Sequence, residues 1–193
     1  MINLPKDYSK LIGLMDEKDI SVIEEKKNAL LIQKLRGDTH EEHKKTEQSG
    51  LLAQLMSGNF SLLIYQELLT RLLLLYTPLE SKIKDIITQQ SIDYQYEQKC
   101  PFLQHDLIHT QSDLSNVTIK QMPLNFLCDK ASFLGVLYVI EGSTLGGALI
   151  RKSMAKHINV DLMATFFYPY RSLTRMRWDK TCAFIESYAE EQQ

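Results

Sequence analysis

Apolar side chains recur at helical spacing along most of the chain, in stretches too long for alternating strands. Residues 20–36 and 59–76 carry apolar residues three or four positions apart. The second stretch has Asn59 or Ser61 as a candidate N-cap and is predicted to end at Pro78, where a further helix begins. With no internal repeat, this pattern predicts an all-α, single-domain helical bundle.

The strongest helical signal extends over residues 129–156. From Phe133 to Ile150 the only charged side chain is Glu141. An apolar run of this length could span a membrane. However, a charge at its centre is costly in hydrocarbon and no aromatic belt flanks it, so a buried bundle helix is favoured. A last helix is predicted over residues 172–189. A short helical stretch is predicted near FLQHDL, residues 102–107, between the helix that follows Pro78 and the stretch 129–156.

Composition agrees with one soluble globular domain. The 193 residues are 44% hydrophobic, with 22 basic and 24 acidic side chains and a net charge of -2. The near balance gives no electrostatic reason to expect nucleic acid or an anionic membrane as a partner. Three cysteines form no CxxC motif, and the N-terminus lacks a continuous apolar signal segment. We therefore expect a cytoplasmic protein.

Glycines are sparse but clustered. Of eight in the chain, four lie within a window of 13 residues, at Gly135, Gly142, Gly146 and Gly147. Each glycine inside a helix costs about 0.5–1 kcal/mol relative to alanine. Something is therefore expected to approach this backbone closely. A neighbouring helix would explain it, and so would a flat ligand lying over Gly142 and Gly146, which share one face.

Two histidines, His40 and His43, lie three residues apart in the almost wholly polar stretch 38–48. They are either solvated side chains or metal ligands, although no third or fourth ligand is near in sequence. Glu47 lies four residues after His43, which places a carboxylate beside the ring. A carboxylate on Nδ1 orients an imidazole and leaves Nε2 to act as an axial ligand of haem iron.

The same residues carry a family resemblance. Residues 35–47, LRGDTHEEHKKTE, resemble the proximal helix of haem oxygenases, whose pattern is L-[KR]-x-x-T-x-x-x-H-x-x-x-E. Its fixed positions are filled by Leu35, Arg36, Thr39, His43 and Glu47. Residues 136–150, VLYVIEGSTLGGALI, resemble the distal helix, in particular that of bacterial members found beside phytochromes. The resemblance spans about residues 30–188 and includes Tyr76, Leu79, Glu80, Asp106, Leu107 and Trp178.

This resemblance implies an activity and a set of roles. Haem would be both substrate and cofactor, opened by O2 and electrons from an external donor to biliverdin, CO and Fe2+. His43 would ligate the iron, with Glu47 orienting it. Gly142 and Gly146 would let the distal backbone approach the haem face, while Arg36 and Arg177 would pair with haem propionates. The electron donor would be a protein or a small reductant, and a phytochrome could accept the biliverdin.

The sequence departs from the family pattern in three ways. Ser143 stands where several members have a catalytic aspartate, so it could hold a water but could not carry charge. Asp179 and Ala183 replace usual cations, for which Lys180 could substitute. The chain also stops before the last family helix. We expect an N-terminal extension over residues 1–29 and a haem oxygenase-like domain over residues 30–193. Residues 6–28 of the extension are expected to fill the volume that the last helix occupies in other members.

Other functions stay open at this point. Ser143 and the absent last helix favour a non-catalytic haem-binding protein on the same fold. A non-haem di-iron oxidase would need several ligands at the bundle centre, for which Glu67, Glu80, Glu141 and His43 are a weak set. A bundle without any ligand would explain the helical periodicity, but not the pairing of His43 with Glu47.

Overall fold

The computed structural model describes residues 31–57, 60–113 and 123–190, and within them it contains helices and no strand. The helices are α1 (residues 31–38), α2 (His40–Glu47), α3 (Gly50–Met56), α4 (Leu62–Gln89), α5 (Cys100–His109), α6 (Lys130–Met154), α7 (Val160–Met163) and α8 (Thr174–Glu190), the last preceded by a 3-10 turn at Arg171–Leu173. The predicted all-α fold is confirmed. The predicted extension over residues 1–29 lies outside the described residues.

The long helix α4 forms the centre of the core. It begins at Ser61, whose hydroxyl accepts a hydrogen bond from the Ile64 amide, as predicted for one of the two candidate caps. One stripe of the helix is buried at three- or four-residue spacing and packs against α3 and α5. The apolar members of this stripe are Tyr65, Leu69, Leu73, Tyr76, Leu79, Ile83 and Ile86.

The prediction that a helix ends at Pro78 is wrong, because α4 continues through this residue to Gln89. Proline has no N–H and therefore leaves the carbonyl of Leu74 without its helical donor. The buried stripe nevertheless keeps its spacing across the proline, with Tyr76 before it and Leu79 after it. Packing of that continuous stripe outweighs the local cost of about 3 kcal/mol that a proline imposes on a helix interior.

Helix α6 carries the glycine cluster and packs against α3, α4 and α8. Its first turn is held by a capping box, in which the Asp129 carboxylate accepts from the Ser132 amide at 2.8 Å and the Ser132 hydroxyl accepts from the Asp129 amide at 3.1 Å. Its predicted extent agrees with the observed Lys130–Met154. The last helix is also confirmed, as α8.

Both α4 and α6 are long and apolar enough to cross a membrane. This is weak evidence, since core helices of soluble proteins meet the same criteria. Each helix also carries a buried glutamate in its middle, Glu80 in α4 and Glu141 in α6, and each carboxylate bonds to groups of other segments of the bundle. These contacts fit the predicted role of core helices.

A buried carboxylate ties the segment after α7 to α5. Asp106 is fully buried, and its Oδ1 atom accepts from the backbone amide of Thr165 at 2.9 Å and from the Thr165 hydroxyl at 2.6 Å. Its Oδ2 atom accepts from the Phe166 amide at 2.9 Å. A carboxylate that accepts several such hydrogen bonds is well compensated for its burial. Asp106 therefore fixes the path of residues 165–166 across the bundle.

Candidate functional site

The predicted ligand pair lies on α2, a helix without any buried residue. The Nδ1 atom of His43 lies 3.6 Å from Oε1 of Glu47, and the two side chains are 70% and 63% exposed. This distance is slightly too long for a hydrogen bond but brings the carboxylate to the expected ring nitrogen. The contact leaves the Nε2 atom of His43 available to a ligand.

The motif that contains His43 forms a nearly continuous helical segment. At the junction of α1 and α2, the Thr39 hydroxyl donates to the Leu35 carbonyl at 2.7 Å, and the amide of His43 donates to the Thr39 carbonyl at 2.9 Å. Arg36 is exposed on the preceding turn. The structure therefore places Arg36, His43 and Glu47 on one exposed helical segment at the edge of the bundle.

The glycines of α6 have different surroundings. A Cβ atom on Gly147 would lie 1.7 Å from the carbonyl oxygen of Phe167, so only glycine fits there. A Cβ on Gly142 would meet the Trp178 ring of α8 at 3.3 Å, whereas one on Gly146 would meet nothing within 4 Å. Close approach of the Phe167 carbonyl therefore explains why residue 147 is glycine. The Trp178 ring gives a weaker reason for glycine at residue 142. Gly146 faces open space, where a ligand could lie.

The open side of α6 is apolar around Gly146. Val139 and Leu149 are 61% and 65% exposed, and with Gly146 their spacing places them on one side of the helix. Ser143 is also exposed on this side. Its hydroxyl donates to the Ile140 carbonyl at 2.7 Å. Exposed apolar side chains beside a glycine form a surface suited to a flat, apolar ligand.

Ser143 also lies near Tyr76, a buried residue of α4. Burial raises the pKa of Tyr76 to about 12, with a smaller opposing effect from Ser143. The phenol therefore stays protonated at neutral pH.

A buried polar cluster that the sequence did not predict includes Glu141, the residue directly before Gly142. It consists of Glu80, Lys99, Glu141 and Tyr170, all buried. The Tyr170 hydroxyl donates to Oε2 of Glu141 at 2.7 Å. The Lys99 ammonium lies 3.3 Å from Oε1 of Glu141 and bonds to the Tyr170 hydroxyl.

The remaining carboxylate of the cluster holds the start of α5. Glu80 accepts from the backbone amide of Lys99, from that of Cys100 at 3.2 Å and from the Tyr96 hydroxyl at 2.9 Å. Burial lowers the pKa of Lys99, while the neighbouring Glu141 opposes that shift. The sequence drew attention to Glu80 and to Glu141, the single charge in an apolar run, but not to their partners Lys99 and Tyr170.

Arg177, predicted to bind a propionate, lies beside this cluster on α8. Its guanidinium carbon lies 5.7 Å from the ring centre of Tyr94 and 5.4 Å from that of Tyr170. Its Nη2 atom donates to the Gln95 carbonyl, while its Nε atom is buried without a partner. The nearby Asp179 pairs with Arg175 at 2.9 Å, and Lys180 is exposed.

Helix α3 links the two halves of the predicted site. It packs against both α2 and α6. In its contact with α6, the Ser153 hydroxyl of α6 lies 3.5 Å from the Met56 sulfur of α3. In the part of the chain that the structure describes, no three His, Cys, Asp or Glu side chains are grouped to hold a metal ion. Among these residues, a ligand set of the di-iron type is therefore not assembled.

The site is thus that of an α-helical protein in which the exposed helix α2 carries a histidine. A second, glycine-rich helix, α6, has an open apolar side. A family model described as heme oxygenase matches residues 29–191, almost the whole chain. The chain therefore belongs to the haem oxygenase family. Searches of curated proteins and of solved structures found no match.

Proposed function

We propose that the protein is a haem oxygenase, which uses O2 and electrons to open the haem ring to biliverdin, CO and Fe2+. The observation that carries this proposal is the geometry of His43 in a chain of this family. Its imidazole is exposed on a polar helix, with a carboxylate at Nδ1 and with Nε2 turned to no protein partner among the described residues. That arrangement suits an axial ligand.

The residues of this chain fit haem in three respects. His43 offers the nitrogen ligand. The open side of α6 around Gly146 offers apolar contact for a flat macrocycle, with Val139 and Leu149 exposed there. Arg36 offers a cation on the same helical segment as His43, two turns earlier. Apolar walls with a few placed polar groups are typical of cofactor sites.

Each residue then has a proposed role. When bound, haem supplies the iron at which O2 reacts and the ring that is oxidised. His43 binds the iron, and Glu47 accepts the Nδ1 proton in a hydrogen bond that fixes the ring orientation. Arg36 pairs with a propionate. Arg177 is the second propionate candidate, through those guanidinium donors that Gln95 does not occupy.

The distal residues control access and protons. Gly146 keeps the side of α6 facing the ligand free of a side chain, and Gly142 lets Trp178 pack close to the helix. Ser143, held by the Ile140 carbonyl, can bind a water and pass a proton through it. Because serine carries no charge, its proton delivery is expected to be slower than that of the aspartate in other members.

The proposal extends to the setting of the reaction. The three cysteines, Cys100, Cys128 and Cys182, form no disulfide, which suits a reducing cytoplasm. An external electron donor, either a protein or a small reductant, is required by the reaction. The likeness of residues 136–150 to phytochrome-associated members supports a phytochrome as a biliverdin acceptor.

A non-catalytic haem-binding protein is the second candidate. Ser143 in place of a charged residue favours it. The engagement of Arg177 with Tyr94, Tyr170 and Gln95 leaves fewer of its donors for a propionate in either case. Both functions use the same ligand and the same His43, so they differ only in the fate of the haem once its iron has been reduced.

One experiment tests both. The purified chain is mixed with hemin, the Soret band is recorded, and ascorbate is then added in air. Loss of the Soret band with the appearance of biliverdin absorption supports the enzyme, whereas a band that persists after reduction supports the binder. A protein that does not shift the hemin spectrum at all contradicts both.

The ligand assignment is tested with a matched pair of variants. His43→Ala should abolish the axial imidazole signature in the absorption and electron paramagnetic resonance spectra. His40→Ala removes another exposed imidazole, three residues away on the same helix, and should leave both spectra unchanged. Unchanged spectra for His43→Ala would show that the iron ligand lies elsewhere.

A further inference from the structure

A cavity of about 540 Å³ lies between α5, the C-terminal part of α6 and the segment 161–171. Its lining includes Phe102, His105, Arg151, Asp161, Tyr168 and Arg171. It contains none of the residues proposed to hold haem, and haem oxygenase activity gives it no role. Its volume lies in the range of about 300–1,000 Å³ typical of small-molecule sites.

The walls of this cavity are fixed by two contacts of the core. Asp106 binds the amides of Thr165 and Phe166 and so holds the segment against α5. Gly147 lets the Phe167 carbonyl approach α6 more closely than any side chain would permit. Arg151 follows Gly147 by one helical turn on the same face, and therefore also lies against this segment.

Arg151 is an incompletely satisfied cation. Its side chain is only 15% exposed, and its guanidinium carbon lies 4.9 Å from the ring centre of Tyr168. The Nη2 atom donates to Asp161 at 2.6 Å, but the Nε atom is buried without a hydrogen-bond partner. The Nη1 group makes no hydrogen bond among the described residues and is not buried, so it is the donor left for a ligand.

The charges around the cavity leave an excess of positive charge. Arg171 supplies a second guanidinium from an exposed position, and holds a left-handed backbone conformation, with φ of 51°, that is unusual outside glycine. Asp161, the one carboxylate among the lining residues, is 89% exposed and pairs with Arg151, so it offsets only one of the two positive charges. The Asp106 carboxylate is already occupied by Thr165 and Phe166, and His105 adds a further nitrogen at the rim.

We propose that this cavity binds a phosphate-type oxyanion carried by a small organic group. Guanidinium groups match the oxygens of such an anion with paired, charge-assisted hydrogen bonds. Arg151 and Arg171 contact the anion, and Phe102 contributes an apolar wall for the attached group. The cavity is much larger than one oxyanion needs, which favours a phosphomonoester over free phosphate.

The test uses the full chain and isothermal titration calorimetry, with inorganic phosphate and phenyl phosphate as separate probes. Saturable binding of phenyl phosphate at one site, several-fold tighter than that of inorganic phosphate, is the expected result. Equal affinity for the two probes would show that free phosphate is the ligand and would overturn the part of the proposal that concerns the organic group. Absence of saturable binding of either probe overturns it entirely.

Variants then locate the site. Arg171→Ala should weaken binding of phenyl phosphate about tenfold or more, as expected for the loss of a charge-assisted hydrogen bond. Asp161→Asn should strengthen binding, because it removes the carboxylate that competes for Arg151. Arg175→Ala removes the same charge from an exposed position of α8 outside the cavity and should have little effect.

Two results would contradict this location. One is an equal loss of affinity in Arg171→Ala and Arg175→Ala, which would indicate only a response to net charge. The other is weaker binding by Asp161→Asn. Circular dichroism of each variant confirms the helical fold before titration, and Arg171 and Asp161 are both exposed, so their replacement does not disturb the core.

Discussion

Two side-chain pairs in this protein have similar geometry and opposite surroundings. Lys99 lies 3.3 Å from Glu141 with the two side chains 2% and 0% exposed, whereas His43 lies 3.6 Å from Glu47 on the exposed helix α2. The buried pair is bonded further to Tyr170 and lies beside Glu80. The exposed pair has no such network around it in the described part of the chain.

The difference separates residues that hold the fold from residues that are available to a ligand. A buried charge depends on its partners, since water cannot replace them. An exposed pair in water contributes about 0–1 kcal/mol, so either member can change partners at little cost. The comparison therefore predicts that mutations in the buried cluster affect stability and that mutations on α2 affect binding.

The largest effect is expected for Glu141→Gln, which leaves Lys99 buried without its carboxylate. Removing one partner of a buried pair costs about 3–5 kcal/mol. Urea unfolding followed by circular dichroism at neutral pH measures the change. Glu67→Gln is the matched control, because Glu67 forms an exposed pair with Arg71 and its loss should cost less than about 1 kcal/mol. Equal losses in both variants would remove the distinction between buried and exposed pairs.

An intermediate effect is expected for two neighbouring glycines of α6. Gly147→Ala places a methyl group against the Phe167 carbonyl, and the segment must shift, at a cost of about 1–3 kcal/mol. Gly146→Ala meets open space, so it should stabilise the helix by about 0.5–1 kcal/mol. Thermal unfolding of both variants measures the opposite signs. Destabilisation by Gly146→Ala would show that its side of α6 is covered.

The smallest effect on stability, and the sharpest on ligand binding, is expected for Glu47→Gln. The unfolding free energy should change by less than about 0.5 kcal/mol, as is usual for an exposed position. If Glu47 orients His43 toward iron, hemin affinity should fall about 10–100-fold. Hemin titration and urea unfolding of the same preparation separate the two readouts. A large loss of stability without a change in hemin affinity would assign Glu47 to the fold.

Much of the helical architecture could be predicted from local patterns. The predicted N-cap at Ser61, the extent of α6 and the last helix agree with the structure, because each depends on nearby residues. The stop signal at Pro78 failed, because the buried stripe of α4 continues through it. Tertiary packing, which local rules do not include, decides the outcome there.

The candidate site likewise contains contacts that the sequence predicts and contacts that it does not. The contact between His43 and Glu47 was predictable, since it joins residues one turn apart. The partner of Glu141 was not, because Lys99 lies 42 residues earlier in a polar stretch between helices. Nor could the sequence distinguish Gly147 from Gly146, since only the docking of the Phe167 carbonyl requires one of them to be glycine.

The hydrogen bonds of Asp106 to Thr165 and Phe166 also set when helix α5 can dock during synthesis of the chain. Its partners Thr165 and Phe166 follow it by 59 and 60 residues. At about 5–20 residues per second, the ribosome needs roughly 3–12 s to add them. Until then the Asp106 carboxylate lacks three of its hydrogen-bond donors, so its burial is costly. The nascent helix α5 can form early, but its final docking must wait until residues 165 and 166 are available.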